Sequence, residues 1–310
     1  MTFWRLPRRA SERGIHSVNR CIVTILLLIS LVLAACSEPP TPEPAPAPSP
    51  FPQRIISVVP SATEMLFAFG IADRIVAVGD YDEFPPEVRT KARVGGLLNP
   101  NIEAIINLKP DFVVTYGSQD ALRERMKELG IQIYPLTHGN IDETLKSIVE
   151  LGSAVGAEEK AKQIEQRIRS TFDDIRVHAP AHHPKVLLVH SRGVGTLGAF
   201  YSVGKRAFQN ELIEIAGGVN IFGNVDKEVM EPSIESIMEL KPEVIIETLP
   251  SNMKDNEAEQ RKQDWSKLAK LPAVKNKRIY VIAEDYLLVP GPRLDLTARK
   301  FAEVIGENGK

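Results

Sequence analysis

Asn99-Pro100-Asn101-Ile102-Glu103-Ala104-Ile105-Ile106-Asn107-Leu108-Lys109-Pro110-Asp111-Phe112-Val113-Val114 returns further along the chain as Glu231-Pro232-Ser233-Ile234-Glu235-Ser236-Ile237-Met238-Glu239-Leu240-Lys241-Pro242-Glu243-Val244-Ile245-Ile246. A polar residue, Asn101 or Ser233, stands where a helix needs its N-cap. Apolar residues follow at helical spacing: Ile102, Ile105 and Leu108 in one copy, Ile234, Ile237 and Leu240 in the other. Lys-Pro then closes the helix, because a residue before proline is pushed out of the α region. The apolar runs Phe112 to Val114 and Val244 to Ile246 read as buried strands. A helix-then-strand unit written twice predicts two related α/β halves. In each copy a glutamate, Glu103 or Glu235, falls in the first helical turn between the apolar positions, so both side chains are expected to face water.

The flanks extend the same alternation. Before the first copy come an apolar strand from Arg54 to Val59, Pro60, and a helix for which Ser61 and Glu64 form a capping box and Gly70 a stop. A strand from Ile75 to Val78 leads into the loop Gly79 to Pro86, where Tyr81 and Phe84 sit among acids. After the copy come a helix from Asp120 to Leu129 and a strand from Ile131 to Tyr134, giving a lobe with a largely parallel sheet. From Ala157 to Val177, Ala161, Ile164, Ile168, Phe172 and Ile175 share one helical face. Such a helix spans about 30 Å, enough to bridge two lobes. A second α/β series follows: a strand from Lys185 to His190, a helix from Arg206 to Ala216, the second copy, a helix from Glu257 to Ala269, a strand from Arg278 to Ile282 and a helix after Pro292.

The N-terminus reads as an export signal. Arg5, Arg8, Arg9, Arg13 and Arg20 precede an apolar run, Cys21 to Ala35, that is short for a membrane span. The run ends in Leu33-Ala34-Ala35-Cys36, which resembles the lipobox of bacterial lipoproteins, so cleavage before Cys36 and acylation of its thiol are expected. The stretch from Ser37 to Gln53 carries proline at 39, 40, 42, 44, 46, 48, 50 and 52 and reads as an extended tether that packs no core. Beyond Cys36 there is no cysteine, which excludes disulfides and thiolate metal sites from the mature domain. Removal of residues 1–35 leaves 33 of the 38 basic and 39 of the 40 acidic residues, a formal net charge of −6 that argues against nucleic acid as a partner.

Catalytic and cofactor motifs are weak. Gly193-Val194-Gly195-Thr196-Leu197-Gly198 matches a dinucleotide fingerprint, but Ala199 to Gly204 intervene where a helix should start, and a glycine-rich, ligand-facing loop fits better. Gly198 to Lys205 fails as a P-loop by one residue and by Arg206 in place of Ser or Thr. His178, His182 and His183 lie between prolines in a connecting segment, and His138 and His190 have no partner at ligand spacing, so no metal site is expected. Ser61 with Glu64, or Ser191 with His190, are sequence neighbours, which seldom make a nucleophile and its helper. Tyr81, Phe84, Tyr116, Phe200, Tyr201 and Tyr286 collect in loops after strands, where open α/β sheets bind ligands, and suggest a large, flat, partly apolar ligand between the lobes.

Arg54 to Glu64, Asp80 to Pro86, Val94-Gly95-Gly96 and both repeat copies together resemble the substrate-binding proteins of bacterial cobalamin, haem and iron-siderophore ABC importers, over nearly all of Arg54 to Gly306. The resemblance implies a non-catalytic α/β protein of two Rossmann-like lobes joined by one long backbone helix. Its parts would be a leader (1–35), a lipidated cysteine and tether (36–53), an N-terminal lobe (54–156), a linking helix (157–178) and a C-terminal lobe (179–310). It implies a monomer without a cofactor that hands its ligand to a permease dimer with ATPase subunits, docking through Glu103 and Glu235. The ligand implied is a corrinoid, cobalamin, with haem or a ferric siderophore as the alternative. Tyr81, Tyr201 and Asp285, with Tyr286 beside it, align with cleft positions of the cobalamin-binding members, whereas Leu97 and Val229 replace two cleft tryptophans and Val289 an arginine. An exported two-lobe enzyme would instead need a base, nucleophile or metal in the cleft, where Asp285 and scattered acids are the candidates. A purely structural envelope lipoprotein would bind nothing.

Overall fold

The computed structural model describes residues 49–117, 119–137, 139–198, 200–249 and 256–307. The leader, Cys36, the tether up to residue 48 and His138 lie outside the described residues. Two sheets are built, one from each series of strands. The first contains β1 (Ile55–Ser57), β2 (Ile75–Val78), β3 (Ala92–Arg93), β4 (Phe112–Tyr116) and β5 (Gln132–Leu136), in the order β3-β2-β1-β4-β5 and parallel throughout. Ile55, Ile56 and Ser57 are buried on both faces, as are Phe112 to Thr115, which is the continuous apolar reading of a central parallel strand.

The second sheet is mixed. Its strands are β6 (Lys185–Arg192), β7 (Phe200–Val203), β8 (Val219–Asn220), β9 (Val229–Met230), β10 (Val244–Thr248) and β11 (Ile279–Ile282). β11, β10, β6 and β8 run parallel, but β7 turns back antiparallel to β6 and pairs with β9, also antiparallel. The glycine-rich stretch at 193–198 is therefore the connection of a β-hairpin. Asp264 accepts the Gly195 N–H at 2.8 Å, and the Arg192 guanidinium donates to the Gly193 and Thr196 carbonyls at 3.0 and 3.1 Å. Arg192 is in turn paired with Glu247 and Asp264 inside the lobe.

Both repeat copies form the same local structure. The helices are Ile102–Asn107 and Ile234–Leu240, and the Asn101 and Ser233 side chains accept the N–H groups of Ala104 and Ser236 at 3.0 and 3.1 Å. Lys109 and Lys241 each take a left-handed backbone, φ 49° and 52°, before the proline that ends the unit. Glu103 and Glu235 are exposed in both first turns.

Helix Glu158–Val177 buries Ala161, Ile164, Ile168, Thr171, Phe172 and Ile175, the predicted stripe with one threonine added. It packs on helix Ile141–Ala154, which sequence reading left unassigned although Asn140 and Glu143 cap it reciprocally. Gly152 allows the close approach, since a Cβ there would stand 2.3 Å from the Ala161 Cβ. The same long helix meets the final helix, Leu294–Gly306, so one hydrophobic cluster runs from the first lobe through it into the second.

Two expectations change. Ser61 and Glu64 do not form a capping box: helix Pro60–Ala68 begins at proline after Val59, with no side-chain cap, and Glu64 is buried in an ion pair. The tether does not stay free up to Gln53. Asp111 accepts the Gln53 and Arg54 N–H groups at 2.7 and 2.9 Å, Arg74 donates to the Pro52 carbonyl at 2.9 Å, and Phe51 lies against Gly156. A segment is held where its backbone groups find fixed partners, whatever its composition.

Candidate functional site

The loops at the carboxyl ends of the first sheet's strands meet residues of the second sheet and the 284–293 loop in a cleft. Its open part is a cavity of about 310 Å3. Leu97 comes to it from the first lobe with Pro60 and Ser61, while Val203, Phe208, Gln209, Val229 and His190 come from the second, and Leu288, Val289 and Pro290 from the late loop. Leu97 and Val229 thus line one cavity from opposite lobes. Tyr201 is exposed on β7, on the face it shares by alternation with Val203.

A smaller space of about 130 Å3 adjoins it through the shared Pro60, Leu288 and Val289, and is lined by Tyr81, Asp82, Glu83, Phe84, Glu64 and Asp285. Tyr81 is 71% exposed, a rim residue whose ring needs the missing side chain of Gly96: a Cβ there would come within 2.9 Å of Tyr81 Cε2. Asp285 is not free to meet a ligand with its full charge, because Arg293 donates to its two oxygens at 2.9 and 3.2 Å. Tyr286 packs against the hydrophobic core beside Arg293 and is not among the residues lining either space. Glu64 and Phe84 also border a separate cavity of about 410 Å3 with Phe67, Arg167, Pro292 and Leu296, which holds none of the predicted ligand residues.

Arg293 closes this end of the cleft. It grips Glu64 of the first lobe in a two-pronged pair, Nε to Oε2 at 2.8 Å and Nη2 to Oε1 at 2.6 Å, and its guanidinium lies 3.8 Å from the centre of the Phe84 ring. Burial dominates the electrostatics here. It pushes the Glu64 carboxyl up to about 7, against the pull of Arg293 and with help from Asp285 and Asp82. Asp82 rises to about 6 for the same reason. Its carboxyl oxygens are sealed from water without a formed hydrogen bond among the described residues, and the nearby Thr63 hydroxyl, Gly79 backbone and Arg93 only temper the rise.

Sequence reading missed Arg293, and no local signal could have found it, because its partner Glu64 is 229 positions away. Phe208, Gln209 and Leu288 carry no sequence signal either, and His190 is weighed in the sequence only as a metal ligand and as a partner of Ser191. Among the described residues no group of three or more His, Cys, Asp or Glu is placed to hold a metal ion. The three linker histidines are engaged locally: His178 Nδ1 with the Asp174 carbonyl at 2.7 Å, His183 Nδ1 with the Gly217 carbonyl at 3.0 Å, and His182 Nε2 with Glu243 at 3.2 Å.

Two α/β lobes, one bridging helix and a loop-lined cleft define a solute-binding protein. Residues 55–286 match the periplasmic binding protein family, and the chain belongs to it. An uncharacterized ABC transporter substrate-binding lipoprotein of Bacillus subtilis, YvrC, is 31% identical over 263 residues, 82% of this chain and 80% of the relative. The crystal structure of the periplasmic vitamin B12 binding protein BtuF of Vibrio cholerae superposes with a TM-score of 0.69 at 26% identity, covering 82% of this chain and 97% of that one. The periplasmic haem binding protein HutB of Vibrio cholerae shares the fold, with a TM-score of 0.73 at 20% identity over 82% of this chain and 99% of its own. The chain is a substrate-binding component of an ABC importer, an exported binding protein and not an enzyme. Such components work with a permease and its ATPase. No helix among the described residues is long and apolar enough to cross a membrane.

Proposed function

We propose that the cleft binds a corrinoid, cobalamin, and that the protein delivers it to the importer's permease dimer while anchored to a membrane through lipid on Cys36. The observation that carries the ligand reading is charge. Among the described residues, no lysine or arginine lines either space of the cleft, whereas Glu64, Asp82, Glu83, Glu228 and Asp285 do. A dianionic haem or an acidic siderophore would meet Asp82, Glu83 and Glu228 there with no lining cation, while Glu64 and Asp285 are already paired with Arg293. Cobalamin is bulky and amphipathic with little net charge, and suits apolar walls from Leu97, Val229, Leu288 and Val289 with aromatic rims at Tyr81 and Tyr201. The vitamin B12 binding function of the Vibrio cholerae relative supports the same choice. Mixing the protein with cyanocobalamin or ferric haem and passing each mixture through a sizing column tests it. Cobalamin absorbance co-eluting with the protein is expected; a shifted Soret band, with cobalamin left behind, would reverse the assignment.

Docking rests on Glu103 and Glu235, exposed and equivalent on the two lobes. Each also complements its helix dipole, worth about 0.3–1 kcal/mol. Two acids of one pattern suit two cationic sites on a pair of permease subunits and would set orientation and encounter rate. Reversing both to arginine is expected to abolish stimulation of the transporter's ATPase and to leave ligand binding unchanged. The lipoprotein designation of the Bacillus subtilis relative supports the anchor at Cys36. Each buried acyl methylene contributes about 0.8 kcal/mol, so two or more chains hold a soluble domain at a surface.

A further inference from the structure

His190 lines the open part of the cleft from β6, and its two ring nitrogens differ. Nδ1 is sealed inside the protein with no hydrogen-bond partner among the described residues, which leaves Nε2 to face the cavity. Burial pushes the imidazole below its ordinary value more than the Glu228 carboxylate raises it, so the ring is neutral at pH 7 and carries one proton.

Where that proton sits decides what the ring can do. A histidine that ligates a metal through Nε2 needs its lone pair there, which places the proton on Nδ1, and metal-bound histidines hand that N–H to an acceptor. Here Nδ1 has none, and a buried N–H without an acceptor is a rarer and costlier arrangement than a buried acceptor without a donor. The opposite tautomer keeps the lone pair on the buried Nδ1 and directs Nε2–H into the cleft. We propose that His190 is a specificity-determining hydrogen-bond donor, reading a carbonyl on the edge of the ligand, and that it does not ligate the metal at the centre of a macrocycle. This rests on the corrinoid reading above and sharpens it: a corrinoid carries amide carbonyls around its rim, and Gln209 and Ser61 line the same cavity as further polar groups.

The test uses two variants. His190→Phe keeps a flat ring and removes the donor, and His190→Gln restores an N–H on a side chain of similar reach. Titration with cyanocobalamin, whose axial position is blocked, and with aquocobalamin, whose axial water exchanges, is followed by absorbance. The native protein is expected to bind both alike with no spectral sign of an imidazole ligand. His190→Phe should lose about tenfold in affinity for each, and His190→Gln should recover most of it. Thermal unfolding of the variants shows that they fold. Equal affinity of His190→Phe and the native protein would overturn the inference and spare the corrinoid reading. So would an imidazole-ligated spectrum with aquocobalamin or ferric haem that His190→Phe abolishes. Failure of the native protein to bind either cobalamin would instead overturn the corrinoid reading, and the inference with it.

Discussion

The two ends of the cleft are built on opposite principles. At one end Glu64, Arg293 and Asp285 spend their hydrogen bonds on one another across the lobes, with Phe84 stacked on the guanidinium. At the other, Leu97, Val229, Phe208 and Val289 present apolar surface, and His190 lines the same space with no hydrogen-bond partner for its Nδ1 among the described residues. Groups satisfied within the protein hold the lobes in place. Groups with unspent capacity are the ones a ligand can use. The difference separates a clasp from a binding surface even though both border the same gap.

Breaking the clasp should give the largest effect on stability. Arg293→Ala strands two carboxylates that it now pairs, one of them buried, and is expected to cost about 3–5 kcal/mol in urea unfolding, with ligand affinity of the folded fraction little changed. A loss under about 1 kcal/mol would mean that the lobes do not depend on this pair.

A pH titration sharpens the same contrast. Glu64 and Asp82 have folded values of about 7 and about 6, above their ordinary 4.5 and 3.8. Between those limits the native chain holds more protons than the unfolded one, so stability falls as pH rises. Their contribution is full below about pH 4 and gone above about pH 7. Glu64→Gln, which cannot titrate, should flatten the upper part of that slope, and an unchanged slope would place the titration elsewhere. The smallest effect belongs to the open end, where His190→Phe should lower affinity about tenfold and leave the unfolding midpoint nearly unmoved.

Legibility followed the range of the interaction. The repeat was readable because cap, apolar spacing and Lys-Pro stop all lie within one short stretch, and the bridging helix was readable from its stripe. The same kind of pattern misled at Ser61 and Glu64 and was overlooked at Asn140 and Glu143, where the box is real. Proline after Val59 starts the first helix without a cap, and a distant arginine takes its glutamate. The strand Phe200–Val203 carries little periodic signal, being four residues behind a glycine-rich turn, so its aromatics read as loop residues. Leu97, Val229 and Asp285 rest on family resemblance as ligand contacts, and Tyr81 on resemblance together with its place in a loop after a strand. Their neighbours His190, Gln209 and Arg293 are assembled by the fold from segments that do not announce one another.

Calorimetric titration of the protein with cyanocobalamin, ferric haem and a ferric siderophore, under one set of conditions, tests the central claim most directly. A single saturable site for cyanocobalamin, with haem and siderophore weaker or silent, is the predicted result. Saturation by haem or siderophore with no heat from cyanocobalamin would contradict it.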